Sequence, residues 1–187
     1  NLMCVDVTSF YPSLMIEHQL LSRNPRHKEK FVEIYKKRLQ LKAEGKKKEQ
    51  APYKIVLNGT FGASGDIYNK LFDPRQSHRT CMTGQIFLLD LMEQLKNVCE
   101  IIACNTDSVY VSYKQENRDK IIELCHDWER RTKMVLEYDD FPNCMMFQRD
   151  VNNYLIVPDG DLSGMKGKGA VVKTLNELDN DCAILNK

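Results

Sequence analysis

EIIACNTDSVYVSY, residues 100–113, decides the fold. The runs 100–104 and 109–113 are rich in β-branched and aromatic residues, and the polar quartet Asn105 to Ser108 between them supplies turn chemistry. The segment therefore reads as a β-hairpin with an aspartate, Asp107, in its turn. A second acid stands in a similar setting. In CVDVTSFYPSL, residues 4–14, Asp6 lies at the edge of an apolar strand over 2–7. Thr8 to Tyr11 then form a turn, and Pro12 takes the first helical position ahead of SLMIEHQLL. Two strand-held carboxylates can share divalent cations about 3.5 to 4 Å apart and so clamp both ends of a phosphoryl transfer. A single aspartate at a strand end more often just bonds its own backbone, so the pair carries the reading.

Between these acids lies a concentration of positive charge. The 187 residues carry a formal charge of only +1, from 27 basic and 26 acidic side chains, which as a bulk property does not announce a nucleic-acid binder. Yet residues 23–54 hold 12 Lys or Arg against 4 Glu, a local +8, leaving 15 basic and 22 acidic residues elsewhere. Such a cluster draws phosphates over a screening length of about 8 to 10 Å. On charge alone a solvated helix face with a lysine-rich loop is the better explanation.

Working outward, Phe31, Ile34, Tyr35, Leu39 and Leu41 recur at near-helical spacing, and Gly45 with the lysine triplet 46–48 ends that helix. Pro52 opens a second helix carrying Lys54 to Phe61. Met82, Ile86, Leu89, Met92 and Leu95 predict an amphipathic helix over about 79–97, with this stripe packed across a sheet. Ile121, Leu124, Cys125, Trp128 and Val135 predict another. Strands are expected at 144–148, 154–157 and 165–173, the last two joined by the turn-rich PDGDLSG. Helices on one face of a mainly antiparallel sheet, with a helical hairpin inserted after the first strand, make an α+β fold.

The seven cysteines, Cys4, Cys81, Cys99, Cys104, Cys125, Cys144 and Cys182, form no CxxC pair, and several lie in apolar runs. Reduced, buried thiols in an intracellular, non-secreted protein are expected, at home in a host cytoplasm or nucleoid. No run approaches the ~18 apolar residues that span a membrane, so no membrane partner is expected. The length suits one core with an insertion, and a strand that begins at once after Asn1 reads as a piece of a longer protein.

Three motifs now carry a resemblance. DVTSFYPS (6–13) resembles the DxxSLYPS element of family B (α-like) DNA polymerases, KIVLNGTFG (54–62) their KxxxNSxYG, and NTDSVYV (105–111) their DTDS, in the same order and at similar spacing. The resemblance covers about residues 1–173. It implies a palm at 1–22 and 66–187 with fingers at 23–65, and a viral or mobile-element type because the span between the first two motifs is compact.

What the family does is thereby expected here: template-directed addition of dNTPs to a primer 3′-hydroxyl. Two Mg²⁺ ions, for which Mn²⁺ substitutes, would be held by Asp6, Asp107 and the Val7 carbonyl. Lys54 joins the two acids as a catalytic residue. Ser9 and Phe10 would offer backbone N–H groups to the phosphates, Tyr11 would exclude a 2′-hydroxyl, and Arg38, Lys42, Lys54 and Asn58 would contact the nucleotide. Gly62, Thr106, Tyr154, Lys166 and Lys168 would meet primer and template. A terminal protein or other replication proteins are further implied partners.

The chain departs from the family's pattern at Asn105, Gly59 and Phe61, where an acid, a serine and a tyrosine are usual, and Val151, Asn152 and Asn153 replace three cations ahead of Tyr154. These departures keep a catalytically inactive, nucleic-acid-binding or structural palm as the alternative. A nuclease or nucleotidyl cyclase would share the paired acids but leave Lys54, Asn58 and Gly62 unexplained.

Overall fold

The computed structural model describes residues 1–26, 28–159 and 165–169. It is α+β, with antiparallel pairing in each registered strand pair. Its contacts gather into two units. The first comprises Asn1–Asp6, Gln94–Leu124 and the described part of Glu137–Lys187; the second comprises Val7–Glu93 and Cys125–Leu136.

In the first unit, β1 (Leu2–Val7), β2 (Glu100–Cys104), β3 (Ser108–Ser112) and β4 (Leu136–Phe141) form a four-stranded sheet in the order β2-β3-β1-β4. The inner strands β1 and β3 are buried along nearly their whole length, whereas β2 and β4 alternate or face water, as edge strands do. A second sheet, β5 (Cys144–Asp150), β6 (Asn153–Pro158) and β7 (Lys166–Lys168), packs its inner face on the first through Leu2, Cys4, Tyr110, Tyr154 and Ile156. Gly169, at φ +79°, passes so close to Asn152 and Asn153 that any Cβ there would collide with them.

The second unit is helical. Helices α1 (Phe10–Glu17), α2 (Glu29–Ala43) and α3 (Lys47–Gly65) meet around Met15, Phe31 and Leu57, with Ile34, Tyr35 and Phe61 closing over them. Helix α4 (Pro74–Leu95) begins with proline at its first position and Asp73 as its cap. Asp73 also takes two side-chain bonds of 2.8 Å and a backbone bond of 3.0 Å from Arg23, which hold its carboxyl well below the usual carboxylate range. Gly84 lets Phe10 lie directly on α4, since a Cβ there would stand 2.7 Å from the ring. From α5 (Arg118–Thr132), the fully buried Trp128 donates its indole N–H to the Phe87 carbonyl at 2.8 Å.

Four expectations need correction. Helix α1 starts at Phe10, two residues before Pro12. Helix α3 starts at Lys47 and contains Pro52, because Gly45 at φ +72° turns the chain tightly enough for the lysine triplet to begin the new helix. Met82, Ile86 and Leu89, expected in the core, are more than half exposed. The buried stripe of α4 is instead Gln76, Thr80, Gly84, Leu88, Leu91 and Leu95, whose polar and glycine members disguise it. Strand β4, LEYDDF, was not expected, since three of its six residues are acidic. The expected strand 165–173 is seen at Lys166–Lys168, and its residues 170–173, like most of the preceding turn, lie outside the described residues. No helix among the described residues is long and apolar enough to cross a membrane.

Candidate active site

Backbone register places the two acids. Strands β1 and β3 pair antiparallel from Leu2 opposite Ser112 to Asp6 opposite Ser108, and Asp107 immediately precedes Ser108. Opposed Cα atoms in such a pair lie about 4.5 to 5.5 Å apart, so the Cα atoms of Asp6 and Asp107 fall within about 9 Å of each other. Both side chains are half-buried. The Asn105 N–H donates to the Ser108 carbonyl at 2.8 Å and closes the turn, while its side-chain oxygen accepts from the Thr106 N–H at 2.7 Å. Asn105 is thus a turn builder, and its oxygen is engaged locally.

Among the described residues no group of three or more His, Cys, Asp or Glu could hold a metal ion. Two carboxylates and the carbonyl of Val7, next in β1, are nevertheless hard oxygen donors. That set fits Mg²⁺, which takes one or two carboxylates and completes its shell with phosphates and water. Behind them in β1, burial pushes the Cys4 thiol up to about 11, and Asp6 adds to the rise.

The helical unit holds a second set. Ser9 caps α1 in the left-handed region, φ 52° and ψ 46°, and Phe10 starts the helix. A left-handed residue followed by a right-handed one aims successive N–H groups into a small concavity suited to anions. Helix α2 fastens this turn twice. Arg38, 5% exposed, donates from Nη1 to Ser9 Oγ and from Nε to Gln50 Oε1 at 3.2 Å. Three residues earlier, Tyr35 meets Ser13 Oγ at 2.9 Å, and Ser13 donates to the Thr8 carbonyl at 3.0 Å. Neither Tyr35, Ser13 nor Gln50 was singled out from the sequence; the i, i+3 spacing of Tyr35 and Arg38 was the available signal.

Tyr11 stacks face to face on Phe61, centroids 4.0 Å apart and planes 6° from parallel, with Phe10 tilted against it at 5.4 Å. Lys54 and Asn58 lie exposed at i and i+4 of α3, and Lys42 is half-buried near the end of α2. A side chain added at Gly59 or Gly62 would meet no atom within 4 Å, so the space over that stretch of α3 is open.

The residues expected at DNA divide. Thr106 and Lys168 are exposed, whereas Lys166 pairs with Asp139 at 2.5 Å and lies 5.3 Å over the Phe141 ring. Tyr154 is 9% exposed and its hydroxyl meets that of Tyr110 at 3.0 Å. It is a core residue, which corrects the expectation of a backbone contact: a ring held there by a buried hydrogen bond does not reach outward.

The fold has a counterpart among solved structures. Superposed on the family B DNA polymerase of the hyperthermophilic archaeon Pyrobaculum calidifontis, the chain gives a TM-score of 0.63 at 17% identity, over 90% of its own length and 27% of that chain. It thus has the fold of a stretch of such a polymerase, and spans about a quarter of it. No protein-family model matches. Among curated proteins it is 35% identical over 75 residues to the uncharacterized mitochondrial protein ymf34 of Marchantia polymorpha, an alignment covering 40% of this chain and 96% of that protein. The chain belongs to the family of that protein.

Proposed function

We propose that the chain is the palm and fingers portion of a family B DNA-directed DNA polymerase, adding dNTPs to a primer 3′-hydroxyl on template DNA. The observation that carries this reading is the β1–β3 register, which sets Asp6 opposite the residue after Asp107. Asp6, Asp107 and the Val7 carbonyl would hold the Mg²⁺ ions, for which Mn²⁺ would substitute; bound there, they would supply a lowered pKa for the primer hydroxyl and charge neutralisation for the leaving pyrophosphate. The protein's own groups do the rest: the Ser9 and Phe10 amides receive phosphate oxygens, Lys54 and Lys42 add cationic charge, Asn58 orients the nucleotide, and the clamped Tyr11 ring excludes a 2′-hydroxyl. Gly62, over which α3 is open, and Thr106 and Lys168, each exposed in the other unit, are the proposed contacts to primer and template. Residues 1–22 and 66–187 act as palm and 23–65 as fingers. The compact fingers fit a viral or mobile-element enzyme working inside a cell, with priming or replication proteins as partners, and the mitochondrial naming of the relative agrees with an intracellular place.

The test is primer extension by the protein that carries this chain. Mg²⁺-dependent extension that disappears in a folded Asp107→Asn variant is expected. No extension by the unaltered protein with Mg²⁺ or Mn²⁺ would refute the reading. It would favour the second one, a non-catalytic nucleic-acid-binding palm, for which the engaged oxygen of Asn105 is the supporting observation.

A further inference from the structure

The turn at Ser9 poses a question of energetics. An L-residue at φ 52° is strained relative to its ordinary conformations, so such a residue persists only where its surroundings over-determine it. The surroundings here are two side chains of one face of α2. Tyr35 reaches Ser13, which holds the Thr8 carbonyl, and Arg38 reaches the Ser9 hydroxyl itself. The Thr8 N–H is in turn fixed on the Val135 carbonyl at 2.8 Å. Every one of these contacts lies within the helical unit.

Arg38 is the informative member. A cation meant to grip a polyphosphate presents its N–H groups to solvent, but only 5% of this residue is exposed, and two of its nitrogens are directed at Ser9 and at Gln50. Those two nitrogens are thus engaged within the protein. From this geometry we infer that Arg38 is a positioning residue. It locks Ser9 in the left-handed conformation that turns the Ser9 and Phe10 amides into an anion-binding nest, and does not itself ligate the phosphate. Gln50 fixes the guanidinium from α3, so the lock joins α1, α2 and α3. This inference rests on the nucleotide-binding reading above and assigns Arg38 a different part in it.

Glycine separates the two roles, because it adopts positive φ without help. In a double-mutant cycle on the full chain, binding of inorganic tripolyphosphate is measured by calorimetry for the unaltered protein, Arg38→Met, Ser9→Gly and the pair. Ser9→Gly keeps the amide and removes the need for a lock, so it is the background against which the loss from Arg38→Met is read. Arg38→Met should weaken binding about ten-fold, but in the Ser9→Gly background only two- to three-fold or so, the remainder being loss of the cation's field. An undiminished ten-fold or so loss in that background would make Arg38 a direct ligand and overturn the inference. Absence of binding to the unaltered chain would overturn the phosphate-binding reading of the turn together with it. Should Arg38→Met fail to fold, Arg38→Lys runs the same cycle, since an ammonium keeps the charge but does not bridge Ser9 and Gln50 as the planar fork does.

Discussion

The end of the β1–β3 pair and the turn at Ser9 solve the same problem, holding polar groups still, by opposite means. At the strand end the ladder does the work: once Leu2 faces Ser112, the positions of Asp6 and Asp107 follow, whatever their side chains are. At Ser9 side chains do it, with Arg38, Tyr35 and Ser13 imposing a backbone conformation that serine does not favour. Groups placed by a ladder can be replaced without loss of fold. Groups that shape the backbone change its local conformation when they are replaced.

Substituting the acids probes this contrast most strongly. Asp6→Ala should lower primer extension by the parent protein about a thousand-fold or more, with an unchanged circular dichroism spectrum; a collapsed fold would mean that the acid is structural after all. Gly84→Val attacks the other side of the comparison, by driving a side chain into Phe10 next to the Ser9 turn. It should destabilise the chain by about 1 to 3 kcal/mol in urea unfolding, and a neutral result would show that the turn does not depend on its support by α4.

Asp73 offers a pH-dependent probe of the helical unit. Its folded pKa is depressed by Arg23, so its contribution is complete above the unfolded value of about 3.9 and fades as pH falls through that value toward the lower folded one. At neutral pH, Asp73→Asn should cost about 1 to 3 kcal/mol of stability, a gap that narrows steadily as pH falls below about 4. Thermal melts across that range check it, and a gap independent of pH would remove the ion pair from the account. The smallest effect is at the stacked rings: Tyr11→Ala should reduce preference for deoxynucleotides over ribonucleotides about ten-fold, read from competitive incorporation. Unchanged preference would leave the Tyr11–Phe61 stack a packing feature only.

The two regions were also unequally legible. Strand β1 and the β2–β3 hairpin could be read because β-branched runs and turn residues are local signals, and the ladder converts them into a site. Helix α2 was legible for the same kind of reason, its period being local. The Arg38 to Ser9 bond and the Tyr11–Phe61 stack join residues 29 and 50 positions apart, which no local pattern encodes. Helix α4 misled because Met82, Ile86 and Leu89 make a cleaner apolar stripe than the one the protein buries, in which Thr80 satisfies its hydroxyl on the Gln76 carbonyl at 2.8 Å and Gly84 yields its volume to Phe10. Strand β4 escaped because its acids suit an exposed edge, where charge discourages stray pairing. Tyr154 resembled a surface motif and proved to be interior.

The buried thiol behind Asp6 has a practical corollary. With Cys4 and Cys99 both pushed up to about 11 by burial, about one in ten thousand of either is ionised at pH 7, and the thiolate is the species that alkylating dyes attack. A fluorophore aimed at a cysteine engineered onto the open face of α3 will therefore outrun labelling of those two native sulfurs by a wide margin, giving an optical reporter beside Lys54 and Asn58, the proposed nucleotide contacts.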